Sequence, residues 1–163
     1  MISLRLGRYG LVAIASLMTL PASADTKLFS GGTCHANIFQ STATIYTHSW
    51  SSGILNYDTT RSLAVSCPIV RDNTTSDPTS ATVWVKDPHD PQNVSCRFLY
   101  DNGTTTTWAG DATTSGFSSS LQPLSLPLSS GHTGYTYIVN CTLPPFTNPT
   151  HPPEVGKIEL VEP

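Results

Sequence analysis

Apolar and polar positions alternate with period two along most of this chain, the pattern of strands with one buried face. Leu63, Val65 and Cys67 share a face, as do Ala81, Val83 and Val85 opposite Thr82, Trp84 and Lys86. Val94, Cys96, Phe98 and Tyr100 oppose Ser95, Arg97 and Leu99, and Tyr135, Tyr137, Val139 and Cys141 form a late strand. Ile158 and Leu160 mark a terminal one, and shorter candidates lie around Ala43–Thr47, Thr105–Ala109 and Leu124–Leu128. Pro123 and Pro127 direct the last of these to a sheet edge, because proline cannot donate a ladder hydrogen bond. Asp101-Asn102-Gly103 is a hairpin signal, since Asn and Gly both tolerate positive φ, and should return the chain through Thr104–Trp108. No 3.6-residue period is sustained, and 13 prolines interrupt what helical potential remains. Roughly seven to nine short strands predict an all-β fold, a two-sheet antiparallel β-sandwich of Ig-like or jelly-roll type.

The first residues break this pattern. Arg5 and Arg8 precede an uncharged, mostly apolar run from Gly10 to Leu20, and Pro21-Ala22-Ser23-Ala24 closes it with small residues. That is the layout of a secretory signal peptide cut after Ala24. The run is too short to span a bilayer comfortably, so no integral membrane segment is expected after cleavage. Residues 25–163 are then one domain, secreted or periplasmic. Without Arg5 and Arg8, six basic residues face eleven acidic ones, a net charge of −5. This argues against nucleic acid or an anionic membrane as partner, since both reward clustered Lys and Arg.

Export gives the cysteines their meaning. Cys34, Cys67, Cys96 and Cys141 are even in number and no two form a CxxC pair, so they predict two disulfides and not a metal site. Cys67, Cys96 and Cys141 are in phase with the apolar positions of their strands and should face the core, where a sandwich uses buried sulfurs to tie its sheets together. Spacing alone does not choose among the three connectivities; Cys96–Cys141 with Cys34–Cys67 is the pairing we favour.

Gly53-Ile54-x-Asn56, Cys67-Pro68-Ile69-Val70-Arg71, the Val-rich strand ending at Asp87, Val94-x-Cys96, Tyr135-x-Tyr137 and Cys141-x-Leu143-Pro144 form a pattern across most of residues 25–163, closing on a strand that ends at Glu162. It is similar to a loose group of small exported bacterial proteins that carry a signal peptide and a β-rich domain. The resemblance implies export, paired cysteines and a sandwich, and transfers no catalytic or binding residue.

Candidate chemistry is sparse. There is no GxSxG elbow, and Ser129-Ser130-Gly131-His132 lies in a turn-like stretch, so a nucleophilic triad is not expected. Asp87-Pro88-His89-Asp90-Pro91 and the cluster Asp72, Asn73 and Asp77 offer oxygen and imidazole ligands. Asp, Asn and Pro are also ordinary turn residues, and neither stretch matches an EF-hand loop. No metal and no cofactor is therefore assigned. The carboxylates that a glycoside hydrolase would pair are scattered, mostly at turns. The sequons at Asn73, Asn93, Asn102 and Asn140 are glycosylation candidates only in a eukaryotic pathway. The segments Arg71–Ser80 and Pro144–Gly156 are irregular and serve as connectors or recognition loops.

The aromatic residues are the better lead. Trp84 falls on the polar side of its strand, Trp108 ends a hairpin arm, and Trp50 flanks the Ser51-Ser52-Gly53 turn. An outward Trp offers a large flat area for stacking a sugar or docking a partner at low entropic cost. The reading is a small exported binding or interaction module without catalytic activity, acting on a protein or glycan partner. The alternative is a structural subunit of a surface assembly or filament, in which sheet edges dock neighbours.

Overall fold

A computed structural model describes residues 24–37, 46–49, 53–89, 92–147 and 150–163. The expected leader and Trp50 lie outside the described residues. The strands are β1 (Asp25–Ser30), β2 (His35–Ala36), β3 (Tyr46–Ser49), β4 (Gly53–Asn56), β5 (Leu63–Ile69), β6 (Ser80–Asp87), β7 (Ser95–Asp101), β8 (Thr106–Thr113), β9 (Ser118–Ser125), β10 (Thr136–Leu143) and β11 (Glu154–Glu162). A 3-10 turn, Gly31–Thr33, follows β1. They form two antiparallel sheets, one of six strands in the order β3-β4-β11-β6-β9 with β1 also on β11, the other of five in the order β2-β5-β10-β7-β8.

The alternating residues build the interior as expected. Val83, Val85, Val155, Ile158 and Leu160 of the six-stranded sheet meet Val65, Cys67, Phe98, Val139 and Leu143 of the five-stranded sheet, all at 1% exposure or less. Phe98, Tyr100 and Tyr137 pack edge to face with centroids 5.2–5.3 Å apart. Each such buried side chain contributes about 1.5–3 kcal/mol over its exposed state.

Several elements differ from the sequence reading. The strand expected at Leu124–Leu128 begins six residues earlier, as β9. It does lie at a sheet edge, with Pro123 opposite Trp84. β1, β2 and β4 had no counterpart among the expected strands. The hairpin from β7 to β8 forms as expected, with Asp101 opposite Thr106. In its loop, Asn102 Oδ1 accepts from the backbone N–H of Thr104 and Thr105, and Gly103 takes φ 85°.

Both disulfides form with the favoured pairing, Cys34–Cys67 and Cys96–Cys141. They do not tie the sheets together. Cys96 and Cys141 sit directly opposite each other on β7 and β10 of one sheet. Cys34, where the chain leaves the 3-10 turn for β2, is bound to β5 of that same sheet.

Buried polar groups bridge the sheets instead. At one end Arg71, just past β5, donates from Nε to Glu162 Oε1 of β11 at 2.7 Å, both side chains 3% exposed or less. Its guanidinium lies 4.2 Å from the Tyr137 ring centroid. At the other end the fully buried Asp87 of β6 accepts from Val94 N at 3.2 Å and from the Thr114 hydroxyl. Nearby, Asn56 Nδ2 of β4 reaches Pro144 O at 2.7 Å. Most buried polar groups find a partner, and these find theirs across the sandwich, with Arg71 Nη1 buried without one.

Candidate functional site

With the core filled, the surfaces left for function are the loops and the outer faces of the sheets. The irregular segments prove to be tied down. Backbone N–H groups of Asp72 and Asn73 donate to Glu162, Asn73 Oδ1 caps its own turn at Thr75, and Phe146 N donates to Asp58 O at 2.6 Å. Asp77 accepts from the backbone of Gly131 and His132 and from the Tyr137 hydroxyl. Burial works to raise the Asp77 carboxyl, but these donors outweigh it and hold its pKa below the usual carboxylate value.

The outer face of the five-stranded sheet is different. Register places side chains in rows, with strands about 4.8 Å apart and successive rows about 7 Å apart. One row is apolar: Pro68, Ile138, Leu99 and Trp108 lie opposite one another in turn across β5, β10, β7 and β8. The next is polar: Ser66, Asn140, Arg97 and Asp111. A third holds Ala64, Thr142, Ser95 and Thr113.

Trp108 closes the apolar row at the sheet edge and is 52% exposed, among the most exposed large apolar side chains of the described residues. Arg97 stands beside it, its guanidinium carbon 5.2 Å from the Trp108 ring centre. Asp111 fixes Arg97 by two contacts, Nε to Oδ1 at 3.0 Å and Nη2 to Oδ2 at 3.1 Å. Bidentate pairing holds the planar guanidinium in one orientation and neutralises its charge. Arg97 therefore acts here as a rigid, electrically compensated wall.

Behind that wall is a cavity of about 230 Å³, its lining including Ser66, Asn140, Arg97, Ser95, Thr142 and Asn37. Asn140 is central to the polar row, and its Oδ1 is buried without a hydrogen-bond partner. Such an acceptor lacks about 1–3 kcal/mol of compensation until a donor reaches it.

The other tryptophans are placed otherwise. Trp84 lies on the outer face of the six-stranded sheet, between Lys157 and Pro123 in register. Lys157 Nζ stands 4.2 Å from its ring centroid and its Nε1 is buried, so much of the ring is already occupied. Trp84 and Trp108 are thus on opposite outer faces and form no common platform.

Ser129 Oγ and His132 Nε2 come within 3.0 Å, but His132 Nδ1 is buried with no partner, and the nearby Asp77 is engaged with backbone and Tyr137. Of the oxygen-rich loop, Asp87 is consumed by the inter-sheet bonds, and Asp90 lies outside the described residues. Among the described residues no three His, Cys, Asp or Glu side chains cluster to hold a metal, and no helix is long and apolar enough to cross a membrane. The two disulfides point to an oxidising compartment. No protein-family model and no curated protein matches this chain.

Proposed function

We propose that this protein is an exported, non-catalytic binding module that engages its partner through the outer face of the five-stranded sheet. The observation that carries the reading is the exposed Trp108 standing beside a charge-compensated Arg97–Asp111 pair at the rim of a polar cavity. Rigid aromatic area next to fixed polar groups is the usual composition of a recognition surface. Lack of catalysis is supported by His132 Nδ1, which meets no carboxylate, and by the structural use of Asp87 and Asp77.

The filament reading needs an open, regular edge. β9 carries Pro123 at one edge, and β8 is bulged between Trp108 and Asp111, where three steps on β8 face two on β7. Proline and bulges are devices that blunt an edge against pairing with another chain.

The test is co-sedimentation of the purified, disulfide-bonded protein with insoluble surface material of the producing cell. Wild type and the Leu28→Ala control, on the other sheet, should pellet together, and Trp108→Ala should remain in solution. Equal pelleting of all three, or pelleting of none, would overturn the reading.

A further inference from the structure

The cavity beside Trp108 has a chemistry of its own. Its walls carry hydroxyls from Ser66, Ser95 and Thr142, the Asn140 amide and the edge of Arg97. It has no uncompensated charge, because Asp111 neutralises the one cation. Asp111 takes the Nε–Nη2 edge of that guanidinium and offsets its charge, which weakens the site for carboxylate, phosphate or sulfate. At about 230 Å³ the cavity is below the size range of drug-sized ligand pockets, roughly 300–1,000 Å³, and suits a single small ring. The Asn140 amide and the hydroxyls of Ser66, Ser95 and Thr142 can both donate and accept. Alongside, Trp108 presents an open flat apolar face. A ring with hydroxyls at its edge and C–H bonds on its face answers all three features.

Resting on the binding-module reading, we infer that this face binds a neutral glycan. One sugar unit seats its hydroxyls among Ser66, Asn140, Ser95 and Thr142, and a neighbouring unit stacks its C–H face on Trp108. Arg97, held by Asp111, separates the two subsites and keeps the indole in place. The pyranose hydroxyls exchange hydrogen bonds with the Asn140 amide and the neighbouring hydroxyls.

The experiment is titration of the purified protein, by calorimetry and tryptophan fluorescence, with cellohexaose, maltohexaose, mannohexaose, xylohexaose and chitohexaose, and with hexagalacturonate as a charged comparison. At least one neutral oligomer should bind saturably and shift the indole emission. Trp108→Ala and Asn140→Ala should each weaken that binding at least tenfold without lowering the melting temperature by more than a few degrees. Should Asn140→Ala fold poorly, Ser66→Phe, which fills the cavity and leaves Asn140 in place, should abolish binding. Absence of binding to every neutral oligomer, or binding to hexagalacturonate alone, would overturn the ligand class. Binding undiminished in the cavity variants would overturn the site. Co-sedimentation that still depends on Trp108 would then leave the binding module standing without the glycan.

Discussion

Arg71 and Glu162 show how much a single pair can carry in this molecule. They join the two sheets where the disulfides do not, and both charges are almost wholly out of water. Removing one partner strands the other, which typically costs about 3–5 kcal/mol, far more than any exposed pair such as Arg97–Asp111 contributes to stability. Glu162→Gln should therefore destabilise by that amount in urea unfolding, while Asp111→Asn should shift the midpoint little. Asp77 gives a pH signature. Its carboxyl is held below its ordinary value in the folded state, so its contribution is present above about 4 and is lost as pH falls from there through the lowered folded value. Thermal melts of Asp77→Asn should accordingly lose less stability than wild type below pH about 4. Tyr137 works in the opposite direction: burial, with the Asp77 charge, pushes its hydroxyl up to about 12. Stability should decline as pH rises from about 10, where an unfolded tyrosine ionises. None of these partners was legible in the sequence. Arg71 and Glu162 are 91 residues apart, and only the sandwich brings them together.

At the scale of elements, β11 is the organising strand. Nine residues long, it pairs with β6 along one side, while β4 and β1 divide the other side between them. At that seam the register of β11 shifts between Val155 and Lys157, and the chain passes very close. A Cβ on Gly31 or on Gly53 would stand 2.0 Å from the carbonyl oxygen of Val155, and Gly53 also holds φ +98°. Gly53→Ala should thus destabilise by more than the 1–3 kcal/mol of backbone strain alone, read as a lowered melting temperature. The cross-strand disulfide is a second element-scale device. Replacing Cys96 and Cys141 together by Ala should cost about 2–4 kcal/mol in urea unfolding. The loss should be read against the sheet it staples and not against the contact between sheets. β5, β6, β7 and β10 were legible because one face of each is continuously apolar. β1, β2 and β4 were not: β1 buries little beyond Phe29, β2 has two residues, and β4 is buried on both faces, which erases alternation. β9 was placed late because its leading half, Ser-Ser-Ser, has no period to read.

For the whole molecule, the chain changes sheet at every connection from β4 to β11 except the β7–β8 hairpin. The outer face of the five-stranded sheet is therefore assembled from segments far apart in sequence. That explains what could be read of the candidate site beforehand. Trp108 and its hairpin were visible locally, from Asn102-Gly103 and the place of Trp108 near the end of the arm. Ser66, Asn140 and Arg97 each read only as an outward polar position on a strand. Their meeting depends on β10 lying between β5 and β7, a fact of topology and not of any local motif. Trp84 was read as an outward position on its strand, and only the packing of Lys157 and Pro123 around it shows that its ring is occupied where Trp108 is open. On the proposed reading, recognition occurs on this face and binding shields it. Hydroxyl-radical footprinting, with the protein free and then bound to cell-surface material, tests it most directly. Oxidation of Trp108 should be strongly suppressed in the bound state while Leu28 and Phe117, exposed elsewhere, react as before. Equal oxidation of Trp108 in both states, or protection confined to Leu28, would contradict it.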